Sequence, residues 1–205
     1  MSIKNNNDSS VNLQRRRILT GATGVVGAAG ATFLAVPFVS SWQPSEKAKA
    51  AGAPVDADIS KLKPGQMLTI EWRGKPVWVV RRTPEMLAKL PSLDDSLRDP
   101  ASAESVQPDY CLNPSRAVKE EYLIVVGVCT HLGCAPLYRP AIGSPDVGAD
   151  WQGGFFCPCH GSRFDLAGRV FKSVPAPTNL EIPPYRFLTD AVVRIGEDPS
   201  EQGAA

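Results

Sequence analysis

Both histidines of this 205-residue chain and four of its five cysteines lie in two short segments. The segments are Cys129–Cys134, which reads CTHLGC, and Cys157–Ser162, which reads CPCHGS. Each segment offers thiolates and one imidazole, which are ligands that zinc and iron prefer in proteins. The pattern predicts two loops that close around one metal centre, so the fold must bring both segments together in space.

Two metal centres commonly use two Cys and two His ligands. One is tetrahedral zinc, and the other is a Rieske-type [2Fe–2S] cluster, in which two His replace two Cys on one iron. Zinc fingers usually place both Cys in one corner and both His in the other. Here each segment is mixed, which favours a pair of bridged irons over zinc. Structural thiols beside incidental histidines are the third interpretation.

The two segments resemble the cluster-binding loops of Rieske iron–sulfur proteins of the bacterial quinol–cytochrome c reductase (cytochrome bc1) family. The similarity covers about residues 15–196. Outside the loops it is carried by Trp72–Pro76, Leu97–Pro100, Gly127–Val128, Pro175–Pro177 and Asn179–Pro183. The resemblance implies a mainly β fold, with antiparallel sheets, a cluster-binding subdomain and one preceding transmembrane helix.

The resemblance also implies the cofactor, one Rieske [2Fe–2S] cluster, and the ligands that hold it. Cys129 and Cys157 are implied to ligate the inner iron, and His131 and His160 the outer iron. The same two histidines are the implied catalytic residues. His160 is the one expected to accept the hydrogen bond of the quinol, with His131 nearby.

Two further cysteines, Cys134 and Cys159, are implied to form a disulfide that joins the two loops. Oxygenase-type Rieske domains and their ferredoxins typically lack this pair, so its presence favours the respiratory branch. The fifth cysteine, Cys111, is expected to be a buried or idle thiol.

Several neighbours of the ligands have expected roles. Gly133 and Gly161 suit tight bends around a cluster, because glycine tolerates positive φ. Leu132, at the tip of the first segment, resembles the family residue that packs at the quinol-site interface. Ser162 resembles the serine whose hydroxyl donates to a bridging sulfide and raises the potential. Phe164 stands where mitochondrial members have a tyrosine, which predicts a lower potential; simple core packing is the alternative for Phe164.

A second departure from the family lies in Ser173–Pro177, which reads SVPAP. Family members often have Gly-Pro-Ala-Pro here. The missing glycine leaves the local path of the backbone open, whereas the two prolines predict a stiff segment that covers the cluster.

The N-terminal part has the features of a twin-arginine export signal. Gln14–Leu19 carries three consecutive arginines, and no charged residue occurs between Ile18 and Ser45. The apolar stretch is long enough to cross a bilayer, and the basic residues place its N-terminal end in the cytoplasm. A signal peptide cleaved after Ala50 is the alternative.

These patterns predict five parts of the chain. They are a cytoplasmic tail at 1–17, a transmembrane signal-anchor helix at 18–41, a flexible hinge or linker at 42–60, a periplasmic Rieske domain at 61–200, and within that domain a cluster subdomain at about 128–178. The expected elements are a hairpin of 67–72 and 76–80, a helix at 83–89, strands at 122–128, 154–156, 169–171 and 191–195, and irregular stretches at 91–120 and 139–151.

The expected function follows from the resemblance. The chain is expected to be the electron-transfer subunit of a cytochrome bc1 complex, which takes one electron, coupled to a proton, from a membrane quinol and passes it to cytochrome c1. Cytochrome b and cytochrome c1 are the expected partners, in a dimeric complex of the bacterial inner membrane. A net charge of +1 gives no indication of nucleic-acid binding. The alternative is the Rieske subunit of another periplasmic oxidoreductase, such as arsenite oxidase.

Overall fold

The computed structural model describes residues 12–199, apart from the side chains of Lys47 and Ala51. It comprises two units, one up to Lys49 and one from Ala50 onward, and each is described by itself. Most of the predicted tail at 1–17, up to residue 11, lies outside the described residues, as does residue 200 of the predicted domain.

The first unit contains a long helix, α1, which spans Leu13–Ser40. The Asn12 side chain caps it by accepting a hydrogen bond from the backbone N–H of Arg15 at 3.0 Å. Its 28 residues correspond to a length of about 42 Å, which exceeds the hydrocarbon thickness of a bilayer. None of its side chains is buried, although most are apolar. It is the one described helix that is long and apolar enough to cross a membrane.

The described part of the second unit contains nine strands in three antiparallel sheets. This confirms the predicted mainly β fold with antiparallel sheets. The strands are β1 Val55–Asp58, β2 Met67–Trp72, β3 Lys75–Arg81, β4 Tyr122–Val126, β5 Leu137–Arg139, β6 Gly154–Cys157, β7 Ser162–Phe164, β8 Tyr185–Thr189 and β9 Val192–Ile195. The sheet orders are β1-β9-β8, β2-β3-β4 and β5-β6-β7. The last sheet carries the second Cys/His segment, and β4 leads into the first.

The helix predicted at 83–89 is present as α3, which spans Pro84–Lys89. Helix α2, which spans Glu46–Ala51, was not predicted and lies inside the stretch predicted to be a linker. Thr83 caps α3 by accepting a hydrogen bond from the backbone N–H of Met86 at 3.3 Å. The stretch predicted to be irregular contains only short 3-10 helices, at Leu90–Ser96 and Asp109–Cys111.

The predicted hairpin is β2–β3, which is closed by Arg73 and Gly74. Both residues have positive φ, at 52° and 70°, as a two-residue type I′ turn requires.

The predicted linker and two predicted strands were wrong in their bounds. The linker predicted at 42–60 is too long, because β1 lies inside it and pairs with β9. The strand predicted at 122–128 ends at Val126, because the backbone N–H of Val128 donates back to the carbonyl of Val126 at 2.8 Å and the chain turns there. The strand predicted at 169–171 is reduced to two isolated bridges, Phe164 to Val170 and Leu97 to Phe171.

The indole of Trp78 joins the β2-β3-β4 sheet to the sheet that carries the second segment. It stacks on Phe155 of β6, with ring centroids 5.2 Å apart and planes 13° apart. A Cβ atom added to Gly127, just after β4, would overlap the same indole. The first residue after β4 must therefore be glycine.

Buried arginines hold the turn that follows β7. Arg82 donates to the carbonyl of Leu166 at 3.0 Å, and Arg116 donates to the carbonyl of Ala167 at 3.1 Å. Burial lowers the pKa of each guanidinium to about 10, so both stay charged at neutral pH. Because carbonyl oxygens accept these charged donors, the turn is fixed by the interior of the domain.

A buried ion pair closes the same turn. The Asp165 carboxylate accepts hydrogen bonds from the Arg169 side chain at 2.8 Å and from the backbone N–H groups of Ala167 and Arg169, at 2.9 and 2.8 Å. Both side chains are at most 1% exposed. The Asp165 charge is therefore balanced by Arg169, which also contacts the exposed carboxylate of Asp94 at 2.7 Å.

We expect Asp165→Asn to lower the free energy of unfolding by about 1.5–3 kcal/mol, because it removes a buried charged acceptor and leaves the exposed Asp94 as the remaining ion-pair partner of Arg169. Guanidinium chloride titration of the detergent-solubilised chain, followed by circular dichroism, measures the change. The matched control is Asp146→Asn, which removes an exposed partner of Arg139 and is expected to leave the midpoint unchanged. Equal midpoints for both variants would contradict the prediction.

Candidate metal centre

The two Cys/His segments form two loops. The first loop, Cys129–Cys134, follows β4, and the second loop, Cys157–Ser162, connects β6 to β7. In the second, Cys157 and Ser162 are the last paired residues of the β6–β7 ladder. Both loops are thus anchored in sheet at their stems.

The two loops turn in the same way. Gly133 donates its backbone N–H to the carbonyl of Cys129 at 3.0 Å, and Gly161 donates to the carbonyl of Cys157 at 2.9 Å. Their φ values are 83° and 77°, a region that favours glycine. The tight bends predicted at these two positions are therefore present.

The two thiols that the sequence analysis assigned to the inner iron lie side by side in the interior. Cys129 is 3% exposed and Cys157 is 2% exposed. Burial raises the pKa of the Cys129 thiol, while hydrogen bonds from the backbone N–H of His131 and from the Ser162 hydroxyl partly offset that effect. Because metals bind the thiolate form, metal binding here displaces protons.

The two imidazoles lie on the outer side of the same loops. The rings of His131 and His160 meet edge to face, with centroids 4.8 Å apart. His160 is exposed and His131 is half-buried. Within the described residues, neither ring forms a hydrogen bond, so their nitrogens are open to a metal and to a ligand from outside. Leu132, between them at the tip, is 72% exposed.

A disulfide between Cys134 and Cys159 joins the two loops, as predicted. It links residues 25 positions apart in sequence, with Cα atoms separated by 6.7 Å. The sulfur of Cys157 lies within 4.8 Å of both disulfide sulfurs. Because those two sulfurs are bonded to each other, this trio is not itself a set of free thiolates.

The segment Val174–Pro177, named here the proline strap, covers the loops from one side. Val174 and Ala176 are buried, whereas Pro175 and Pro177 are exposed. The Thr130 hydroxyl of the first loop donates to the carbonyl of Thr178, just beyond the strap, at 2.7 Å.

The glycine missing from the family pattern is compensated one residue earlier. Ser173 adopts a positive φ of 59°, and Val174 places its side chain in the hydrophobic core. The backbone path left open by the sequence is therefore a left-handed serine followed by an anchored valine.

Two buried side chains near the loops match positions singled out from sequence. The Ser162 hydroxyl oxygen accepts a hydrogen bond from the backbone N–H of Ala176 at 3.1 Å. Phe164 is fully buried and pairs with Phe155 across the β6–β7 ladder. The contact of Ala176 was not anticipated, although its place between two prolines was a usable indication.

The donor set fits a Rieske cluster. Two buried thiols and two outer imidazoles, contributed equally by two loops, match a [2Fe–2S] cluster with two Cys on one iron and two His on the other. Cys111 lies outside this group, buried near the hydroxyl of Tyr185 with its sulfur 3.6 Å from that oxygen.

Two family models match the chain. The model described as Rieske [2Fe-2S] domain matches residues 53–185, and the model described as Ubiquitinol-cytochrome C reductase Fe-S subunit TAT signal matches residues 5–45. The cofactor of this family is a Rieske [2Fe–2S] cluster. Together the two models account for both units of the structure.

Curated relatives agree with the family models. The Ubiquinol-cytochrome c reductase iron-sulfur subunit of Allochromatium vinosum is 64% identical, over 92% of this chain and 91% of that protein. The mitochondrial Cytochrome b-c1 complex subunit Rieske of Solanum tuberosum is 44% identical, over 87% of this chain and 60% of that protein. A chain of the solved structure "Hyperthermophilic respiratory Complex III" is 30% identical, with a TM-score of 0.46, over 86% of this chain and 98% of that chain. This chain belongs to the family of ubiquinol–cytochrome c reductase iron–sulfur subunits.

Proposed function

We propose that this chain is the electron-transfer subunit of a cytochrome bc1 complex and that it oxidises a membrane quinol. The observation that carries the proposal is the pair of imidazoles at the tip, one of them exposed to solvent, beside two buried thiols. This arrangement gives a redox centre one protected side and one accessible side. The names of the curated relatives support the same function.

The ligand assignment rests on this division between the two sides. We assign Cys129 and Cys157 to the inner iron, because their thiols are almost inaccessible and lie close together. We assign His131 and His160 to the outer iron, because their rings lie together at the surface. When bound, the [2Fe–2S] cluster supplies a one-electron acceptor between the two pairs.

His160 is placed to receive the quinol. Its exposed ring leaves one nitrogen free beyond the one used for iron, and that nitrogen accepts a hydrogen bond from the quinol hydroxyl. The adjacent exposed Leu132 offers an apolar surface for the quinol-site interface. Proton binding at the free nitrogen becomes more favourable when an electron is added nearby, because the added negative charge attracts the proton.

The partners and the compartment complete the proposal. Cytochrome b receives the second electron of the quinol, cytochrome c1 receives the electron that passes through this chain, and the complex is dimeric. Helix α1 anchors the chain in the bacterial inner membrane, with Arg15–Arg17 on the cytoplasmic side and the Rieske domain in the periplasm.

We propose the domain boundaries that the sequence predicted, with the hinge ending before Val55, where β1 begins. In this proposal the helix is an uncleaved anchor, and N-terminal sequencing of the mature protein distinguishes it from cleavage after Ala50. The alternative, a Rieske subunit of an enzyme such as arsenite oxidase, is not favoured, because the matched family and relatives are subunits of the quinol reductase.

The first test is low-temperature EPR of the membrane-extracted protein. A Rieske-type rhombic signal after mild reduction with ascorbate is expected, since quinol oxidation needs a high-potential cluster. A signal that appears only with dithionite contradicts quinol oxidation, and iron-free protein without a signal contradicts the cluster assignment.

We expect His160→Ala to abolish both the Rieske signal and quinol oxidation, because it removes an iron ligand. EPR and quinol:cytochrome c assays of purified membranes measure the two losses. The control is Cys111→Ala, which removes a buried cysteine outside the site and should retain the signal. A normal Rieske signal in the His160 variant would remove His160 from the ligand set.

We expect Cys134→Ser to lower the thermal stability and the cluster content, because the clamp between the loops is lost. A loop closed over 25 residues contributes about 3 kcal/mol to stability. Iron analysis and a thermal melt followed by the visible absorption of the cluster measure the effect. Normal content and potential in this variant would show that the clamp has no role in holding the cluster.

We expect Phe164→Tyr to raise the potential, because the new hydroxyl can donate to a cysteine sulfur at the cluster and stabilise the reduced state. A redox titration followed by EPR measures the shift. Phe187→Tyr, the same change in β8, is the control and should leave the potential unchanged. No difference between the two variants would support the alternative that Phe164 only fills the core.

A further inference from the structure

Asn179 is a buried amide two residues beyond the proline strap, and it belongs to neither loop. Its side chain is 1% exposed. The Oδ1 atom accepts a hydrogen bond from the backbone N–H of Val170 at 2.8 Å. The Nδ2 atom donates to the carbonyl of Asp99 at 3.0 Å and to the Ser102 hydroxyl oxygen at 2.8 Å. The oxygen and both hydrogens of the amide group are therefore used in the interior of the domain.

The surroundings of Asn179 require an amide rather than any polar side chain. The backbone N–H of Val170 is a donor and the carbonyl of Asp99 is an acceptor, so one end of the side chain must accept while the other donates. A carboxylate of the same shape would place an oxygen against the Asp99 carbonyl. Because Val170 and Asp99 are both buried, an unmade hydrogen bond there costs the desolvation of the group.

A turn at 99–105, named here the Asp99 turn, holds most of the partners of Asn179. The Asp99 carboxylate closes the turn by accepting two backbone N–H groups, at 2.7 and 3.1 Å, and the Ser105 hydroxyl at 2.8 Å. The Ser105 oxygen in its turn accepts the backbone N–H of Asn179 at 3.2 Å. Ser102 has a φ of 55°, in the left-handed region that is uncommon for residues with a side chain. The Asp99 turn is thus shaped around this one amide.

Asn179 also ends the stretch of chain that contacts both loops of the metal centre. Directly before it, the carbonyl of Thr178 accepts the Thr130 hydroxyl of the first loop at 2.7 Å. Earlier in the same stretch, the backbone N–H of Ala176 donates to Ser162, the last residue of the second loop, at 3.1 Å. Asn179 therefore ties this stretch to the interior of the domain.

The strap has few means of holding its own position. Pro175 and Pro177 have no backbone N–H and are exposed, so residues 175–177 supply a single backbone donor. Before that donor, Val174 anchors the strap in the hydrophobic core. After it, the hold comes from the residues that follow the strap, among which Asn179 makes four hydrogen bonds.

We propose that the Asn179 side chain is a positioning group that holds the proline strap against the two loops and keeps that side of the metal centre closed. The proposal rests on the proposed function, because it takes the two loops as the cluster site. Loss of the amide hydrogen bonds frees the C-terminal end of the strap, while Val174 still holds the other end. The strap then opens locally without global unfolding, and the cluster becomes accessible to solutes.

The variant Asn179→Asp tests the proposal in the full detergent-solubilised chain. Asn113→Asp is the matched control, because the half-buried Asn113 also uses both ends of its amide, on partners that lie within 110–117. Both variants should lower the thermal midpoint. Asn179→Asp alone should speed the loss of cluster absorption to excess EDTA, by about tenfold well below that midpoint. It alone should also broaden the Rieske EPR signal, because the strap adopts more than one position.

Equal acceleration in the two variants would overturn the proposal, because general destabilisation would then explain the effect. An unchanged rate in folded Asn179→Asp would overturn it as well. If Asn179→Asp does not fold, Ser102→Gly removes one acceptor of the amide, and glycine accommodates the positive φ at that position. We expect about threefold acceleration in Ser102→Gly, and an unchanged rate there overturns the proposal.

Hydrogen exchange separates this proposal from the proposed function, because it follows the strap and not the cluster. The Ala176 amide should exchange about tenfold faster in Asn179→Asp than in the natural chain, and at the natural rate in Asn113→Asp. An unchanged rate in Asn179→Asp overturns the positioning role, whatever the EPR signal shows. The Rieske signal of the natural chain reports on the proposed function alone.

Discussion

The disulfide between Cys134 and Cys159 fixes the position of the two loops relative to each other, and the metal centre depends on that position. The two loops come from different sheets, and each contributes one buried thiol and one outer imidazole, so neither is a site without the other. A covalent link removes relative motion of the loop tips, where no regular backbone ladder joins them. Hydrogen bonds from Thr130 to the carbonyl of Thr178 and from the backbone N–H of Ala176 to Ser162 restrain the loops further.

Behind the loops, the interior of the domain contains buried charged side chains at places where apolar side chains are usual. Arg82 and Arg116 direct their guanidinium groups at backbone carbonyls of the turn after β7. Burying a charge is costly unless its donors are satisfied. Most donors of these two groups are satisfied by carbonyls, namely those of Ser115, Leu166, Ala167, Gly168 and Leu180, whereas Nη2 of Arg82 has no partner among the described residues. The buried arginines make the turn after β7 rigid. That rigidity supports the second loop, because β7 begins with Ser162, the last residue of the loop.

The chemistry of the loops was predictable from sequence because it is local: cysteines, histidines and glycines at fixed spacing define it. The disulfide required the family resemblance, since spacing alone leaves the pairing open. Strand β1 escaped prediction because Asp56 and Asp58 alternate with small residues and its partner β9 lies at the far end of the chain. The burial of the arginines was not predicted either, because arginine is usually exposed. Their acceptors are backbone carbonyls, which every residue has, so the sequence does not indicate them.

The indole of Trp78 has a consequence for how the site tolerates change. It touches the glycine that precedes the first loop and stacks on Phe155, two residues before the second. The thickness of one aromatic ring thus contributes to the separation between the stems of both loops. The spacing of the ligands therefore depends in part on a residue that belongs to neither loop, so a substitution at position 78 would change that spacing as well as the packing of the sheet.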